Sequence, residues 1–180
     1  MSRKNSITTR VGDHGTTFLF SGEEVPKDSL RTDAYGDLDE LVSVLGLARV
    51  HAAKQETKDA VIALQRELFI AGSELATSRE HIGSLAQRID PAALERFEKR
   101  RDDLEGQIEM PKGFILPGGT PGGAYLDHAR TIARRLERKA VSLHRAGETS
   151  NENLLVWLNR VSDFLWLLAR FEEGPAVTPK

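Results

Sequence analysis

Cysteine is absent from this chain of 180 residues, which excludes disulfides, thiolate nucleophiles and thiolate metal sites. Net charge is nearly absent as well. The 25 Lys and Arg residues against 27 Asp and Glu leave −2, so no global electrostatic case exists for nucleic-acid binding. No apolar run approaches the ~18 residues that suggest a membrane span. The opening "MSRKNSITTR" lacks the apolar core of a secretory signal. A cytoplasmic protein with neither membrane nor nucleic-acid partners is the expectation. Metal-ligand spacing between histidines and a Ser–His–acid pattern are also missing, so His14, His51, His81, His128 and His144 read as surface or packing residues. What remains, 39% hydrophobic and 29% charged residues, suits one globular domain over residues 1–180 with a substantial core.

Apolar spacing divides the chain. An N-terminal arm over 1–31 contains "TTRVGDHGTTFLFSG" at 8–22, with three glycines, four threonines and no helical period. Glycines let backbone N–H groups approach a ligand, and consecutive N–H groups can form a concave anion nest. The same composition also serves an ordinary turn, and the spacing is not that of a Walker A loop. Beyond the polar connector "EEVPKDSLR", helical periods cover about 32–53, through Leu38, Leu41, Leu45 and Ala48, and 56–77, through Val61, Leu64, Leu68 and Leu75. A third helix begins at Asp90 as N-cap with Pro91 at its first position. "EMPKGFILPGGTPGG" interrupts it, and further helices are expected over about 124–144 and 152–172, with a frayed tail over 173–180. Five helices without strand alternation predict an all-α fold, a five-helix bundle over 32–172 preceded by the Gly/Thr-rich arm.

Two helices carry candidate chemistry. In "DHARTIARRLERKAVSLHR", Arg130, Arg134 and Arg138 recur at i, i+4 and i+8 on one face, beside Glu137. Like charges at that spacing destabilise an isolated helix by ~0.2–0.5 kcal/mol per pair. The stripe therefore suggests either a phosphate-bearing partner, which guanidiniums grip in bidentate fashion, or a solvated face held by internal salt bridges. On the first helix, Asp39 lies opposite Leu38, Leu41 and Leu45. It is either a partner for an arginine of another helix or a surface acid favoured by the helix dipole. In the last helix Asn159, Asp163, Trp166 and Arg170 form a polar stripe, where an Asn159–Asp163 pair would be buried in an otherwise apolar element.

Three segments, in order, resemble the PduO-type ATP:cob(I)alamin adenosyltransferases: "TTRVGDHGTT" with "KDSLRTDAYGDLDEL", then "FILPGGTPGGAYLDHARTIARRLER", then "WLNRVSDFLWLLAR". The resemblance implies a five-helix bundle that assembles as a homotrimer with ATP sites between adjacent subunits. It also implies transfer of the 5′-deoxyadenosyl group of ATP to cob(I)alamin, with release of triphosphate. By motif position it implies that Thr8, Thr9, Arg10, Gly12, Asp13, Gly15, Thr16, Thr17 and Lys27 bind ATP from the arm. Arg130 would pair with Asp39, Arg134 would contact the phosphates, and Glu137, Arg138 and Asn159 would complete the nucleotide face. Phe114 would occupy the lower face of the corrin and keep the dimethylbenzimidazole off cobalt. Mg²⁺ would be held mainly through the ATP phosphates. The same resemblance leaves room for a reductase that supplies cob(I)alamin and a cobalamin-dependent enzyme that receives the product. The chain departs from the family pattern at Val42, where a polar residue is common, at Asp127, where histidine is common, and in the flexible "PGG" of 121–123.

That chemistry is consistent with the missing nucleophile and triad. Cobalt(I) is itself strongly nucleophilic, so the protein has to orient C5′ and stabilise charge on the leaving triphosphate. A non-catalytic carrier or sensor of ATP or adenosylcobalamin is the alternative within the same fold. A bundle whose arginine face docks an acidic partner is the alternative outside it.

Overall fold

The computed structural model describes residue 8, residues 10–175 and residues 178–179. The main elements are β1 (Thr16–Phe18), β2 (Glu24–Pro26), α1 (Leu30–His51), α2 (Gln55–Leu75), α3 (Pro91–Glu105), α4 (Pro121–Arg145) and α5 (Glu152–Glu173), with one 3₁₀ turn (Ile82–Ser84) before α3. The five-helix bundle expected from the apolar periods is present. It is preceded by an antiparallel hairpin that those periods do not reveal: Thr16 pairs with Pro26, Thr17 with Val25 and Phe18 with Glu24.

Local chemistry sets most helix starts. Ser29, Asp90, Thr120 and Asn151 each place a side-chain oxygen on an N–H of the first turn. α4 begins at Pro121, three residues before the expected Ala124. Its glycines are needed for close packing. A Cβ on Gly122 would lie 2.8 Å from Ala52 Cα, and one on Gly123 would lie 2.3 Å from Glu173 Cγ.

α4 packs between α1 and α5. Its stripe of Leu126, Ala129, Ile132, Ala133, Leu136, Ala140 and Leu143 is completely buried. α2 covers α1, and α3 covers α5, where the Phe97 ring meets Trp157 and Phe164 at centroid distances of 5.3 Å each. Both ends of α2 are finished by side chains from elsewhere. Lys54 supplies no side-chain cap, and buried Glu172 of α5 instead accepts from Ala53 N at 2.5 Å and from the Thr57 hydroxyl at 2.7 Å. At the other end the buried Arg31 guanidinium donates to the carbonyls of Leu75 (2.8 Å) and Thr77 (2.7 Å).

The Asn159–Asp163 pair expected inside α5 does not form. Asp163 is exposed and Asn159 half-buried. The buried ion pair of this helix is Arg170 with Asp127 of α4, at 2.5 Å. Arg170 reaches Asp127 of α4, whereas Asp163 lines an open cavity beside Arg101 and Glu105 of α3.

The hairpin is fastened to the end of α2. Phe20 N donates to Ala76 O at 2.8 Å, and Ser78 N donates to Ser21 Oγ at 3.1 Å. Hydrogen bonds from Ser21 and Ser78, with His81 nearby at 2.7 Å, hold the Glu23 carboxyl at about 2, below its usual 4.5. Stabilisation from Glu23 is therefore complete above the usual value and is lost as the pH falls toward about 2. Replacing Glu23 by Gln should make the fall in melting temperature between about pH 5 and pH 2 shallower than in wild type. Parallel acid declines in the two proteins would remove Glu23 from this role.

Candidate functional site

The cations of α4 separate into two groups. Arg135 turns to α1, where its Nε lies 3.0 Å from Asp37 Oδ2 and its Nη2 donates to Glu40. Lys139 does the same, 3.0 Å from Asp37 Oδ1 and 2.9 Å from Asp33 Oδ1. Burial alone would depress the Lys139 ammonium, but its bonds to Asp33 and Asp37 more than offset this and hold its pKa above the ordinary value. Arg134 and Arg138 are exposed, and their side chains meet no carboxylate among the described residues. Internal salt bridges thus account for half of the basic helix and leave the other half open.

Asp37, not Asp39, is the acid that α1 turns toward α4. It lies within the apolar stripe of Ala34, Leu38, Leu41 and Leu45, and that spacing was its signal in the sequence. Asp39 is exposed, with no partner among the described residues. The Asp39–Arg130 pair implied by the resemblance does not form within one chain: Arg130 Nε lies 3.4 Å from Asp127 Oδ1. On the neighbouring helix, Asn159 Nδ2 donates to Glu137 Oε1 at 2.9 Å, while Asn159 Oδ1 accepts from Arg160 at 2.7 Å. These bonds join two of the expected site residues across α4 and α5.

The arm forms a compact turn around a lysine. Gly15 has φ +83°, which suits glycine, and its carbonyl accepts from Lys27 N at 2.9 Å. The Lys27 ammonium lies over Gly12, where a Cβ would come within 2.7 Å of Nζ. Asp13 and Arg10 are exposed, and Arg10 adopts φ +61°. Two hydroxyls are already engaged, Thr16 donating to Glu24 Oε1 at 2.6 Å and Thr17 bonding to Tyr35. Thr8 is exposed, and Thr9 lies outside the described residues. Among the described residues, none of 10–27 hydrogen-bonds or ion-pairs with α4, so the arm and the arginine face are separate features of one chain.

Phe114 is 91% exposed in the segment between α3 and α4, so it is not an anchor buried on its own bundle. Met110 of the same segment lines a cavity of about 400 Å³ with Asp163 and Trp166, which gathers part of the α5 stripe beside it. Among the described residues no cluster of three or more His, Asp or Glu is arranged to hold a metal ion, and no helix is long and apolar enough to cross a membrane.

Residues 7–172 match the cobalamin adenosyltransferase family model. The chain belongs to the PduO-type ATP:corrinoid adenosyltransferase family. A corrinoid adenosyltransferase of Citrobacter freundii is 38% identical over 93% of this chain and 94% of its own length. The Bacillus subtilis enzyme is 37% identical over 91% and 84%. Against the PduO protein of Salmonella typhimurium, 38% identical, the chain spans about half of the relative's length (51%). A variant PduO-type ATP:corrinoid adenosyltransferase of Lactobacillus reuteri, solved with cobalamin and ATP, superposes with TM-score 0.88 at 30% identity, over 97% of this chain and 99% of that one. An arginine-to-lysine variant from the same organism, solved with ATP, gives 0.84 at 31% identity, over 97% and 100%. Family membership makes the protein an enzyme that adenosylates a corrinoid from ATP.

The two groups of α4 cations should separate by stability. Asp37→Ala removes the buried carboxylate shared by Arg135 and Lys139, which keep Glu40 and Asp33, and should cost about 1–3 kcal/mol of unfolding free energy, because both cations also keep partial hydration. Arg134→Ala and Arg138→Ala should change it by less than about 0.5 kcal/mol. Denaturant unfolding of the three variants measures this, and a large loss in Arg134→Ala would make that residue structural.

Proposed function

We propose that the enzyme transfers the 5′-deoxyadenosyl group of ATP to cob(I)alamin at sites shared between adjacent subunits of a homotrimer in the cytoplasm. The observation that carries this reading is the exposed pair Arg134 and Arg138, without a carboxylate partner among the described residues, on a helix where the neighbouring Arg130, Arg135 and Lys139 are all paired. A helix face tolerates such repulsion where an anion relieves it. The arm of the same chain makes no polar contact with that face through residues 10–27, which suits an arm supplied by a neighbouring copy. Exposed Asp39 would likewise meet Arg130 of another subunit.

In this reading Gly12, Asp13, Gly15 and Lys27 hold the triphosphate from one subunit, joined by Thr8, Thr9, Arg10, Thr16 and Thr17. Arg134 and Arg138 hold it from the next, while Glu137 and Asn159, already bonded to each other, border the nucleoside. Cobalt of the corrinoid substrate attacks C5′, a cobalt–carbon bond forms, and the C5′–O bond to triphosphate breaks. Lys27 and the two arginines stabilise the charge released on that oxygen, which speeds the step only because they are fixed before it begins. Mg²⁺ would ride on the phosphates and share that charge. Exposed carboxylates such as Asp13 lie in the arm, but no residue is assigned to the ion. Phe114, free of its own bundle, would lie against the lower face of the corrin and exclude its axial base. A relative solved as a phenylalanine-to-alanine variant with cobalamin and ATP supports an interest of the family fold in one aromatic side chain.

Arg134→Ala should lower kcat/KM for ATP on the order of 10²-fold, since one charge-assisted contact is worth ~1.5–3 kcal/mol. Arg134→Lys should recover part, because an ammonium loses the bidentate geometry. Unchanged kinetics in the alanine variant would take Arg134 out of the site. The shared-site arrangement has its own test. The assembly should sediment at about 60 kDa, three chains of 19.9 kDa. Mixing inactive Lys27→Ala with inactive Arg134→Ala subunits should restore activity, because some sites then carry both wild-type halves. Mixed trimers that stay inactive after proven subunit exchange would place both halves in one chain.

A further inference from the structure

Segment 111–119, which carries Phe114, is held to the rest of the protein by very few polar contacts. Among the described residues its hydrogen bonds run from two amides alone, Gly118 N at 3.2 Å and Gly119 N at 2.8 Å, both to Glu173 Oε1. Glu173 is the last residue of α5, yet its side chain is only 5% exposed, because it folds over the first turn of α4. Its other oxygen lies 2.8 Å from Arg170 Nη2. The same nitrogen lies 2.5 Å from Asp127 Oδ2, and Asp127 Oδ1 lies 3.4 Å from Arg130 Nε. Arg170 is 2% exposed, and among the described residues its Nε and Nη1 have no acceptor, so its charge is directed at these two carboxylates.

We infer that Glu173, braced by Arg170 and Asp127, is a positioning residue that sets the Phe114 segment relative to Arg130. The inference rests on the reading of Phe114 given above. Three features make the assignment specific. A negative side chain at the N-terminus of α4 is favoured by the helix dipole and by the free amides there. The slot it fills exists only because residues 119 and 123 lack a Cβ: at 119 one would lie 3.2 Å from Glu173 Cδ, at 123 2.3 Å from Cγ. The line of contacts then continues without a gap through Asp127 to Arg130, so the segment is held in register with α4. Asp127, which departs from the family pattern, supplies the buried negative charge that the line requires.

The test uses the whole enzyme. In Glu173→Ala without substrates, hydrogen exchange at Gly118 and Gly119 should accelerate by ~10-fold or more, because their only acceptor is gone. With substrates, KM for cob(I)alamin should rise by ~10-fold and the four-coordinate fraction of bound cob(II)alamin should fall, while KM for ATP stays within about twofold. Glu173→Gln keeps an oxygen for the two amides and should lie between the alanine variant and wild type on both readouts. It also serves if the alanine variant does not fold. Phe114→Ala runs alongside. Wild-type corrinoid behaviour in Phe114→Ala would overturn the reading of Phe114 and this inference with it. Impaired Phe114→Ala beside a wild-type Glu173→Ala would overturn the inference alone, as would unchanged exchange at Gly118 and Gly119.

Discussion

The rotation of α4 about its own axis is the constraint on which the rest of this structure depends. Seven residues of that helix, from Leu126 to Leu143, are completely buried against α1 and α5. Each large aliphatic side chain among them contributes ~1.5–3 kcal/mol on burial, whereas each like-charge pair along the outer face costs ~0.2–0.5 kcal/mol. Burial wins by a wide margin, so the helix can carry clustered guanidiniums without losing its seat. Once the stripe is placed, the azimuth of every other residue follows. Arg135 and Lys139 fall beside the α1 carboxylates, and Arg134 and Arg138 fall outside them.

Buried charge then locks the ends of the bundle. Glu172 and Arg31, from α5 and α1, satisfy the free backbone groups at the two ends of α2. Buried Glu74, near the end of the same helix, accepts from Asn151 at 2.7 Å. Removing one such partner strands the other in a low-dielectric interior, which is far more damaging than the net worth of the pair. These contacts join elements distant in sequence, so they specify one arrangement of helices among several that the apolar stripes alone would allow. The rigid part of the molecule is built this way, and the candidate site is what it leaves uncommitted: an arm, an open arginine face and an exposed phenylalanine. Pieces that face outward from one chain are suited to being completed by a second chain and by substrates.

The opening motif shows the same economy at small scale. Lys27 over Gly12 and the left-handed turn at Gly15 bring an ammonium and backbone amides together without enclosing them. The hydroxyls of Thr16 and Thr17 are engaged, with Glu24 of the arm and Tyr35 of α1, so their part in this turn is to shape it before any ligand arrives. Preorganisation of that kind lowers the ordering entropy that binding would otherwise have to overcome.

Five helices, the Asp90 cap of the third, the arginine stripe and the family motifs were legible in the sequence, because periodicity, capping and motif spacing are local properties. Asn159 and Glu137 were legible only as separate motif positions, and tertiary structure joined them at 2.9 Å. Asp39 was the acid suggested by its motif, while Asp37 became the partner of α4 because it shares the buried stripe of α1. The hairpin escaped because three-residue strands carry too little alternation to register. The early start of α4 escaped because glycine reads as a helix breaker until Ala52 and Glu173 are seen pressing on residues 122 and 123. The sequence by itself determined which residues form helices and which chemistry they bring, since a few neighbours decide both. Tertiary structure alone decided which charges are neutralised and which stay open, because that depends on carboxylates about a hundred residues away, brought within 3.0 Å by the packing of α1 on α4.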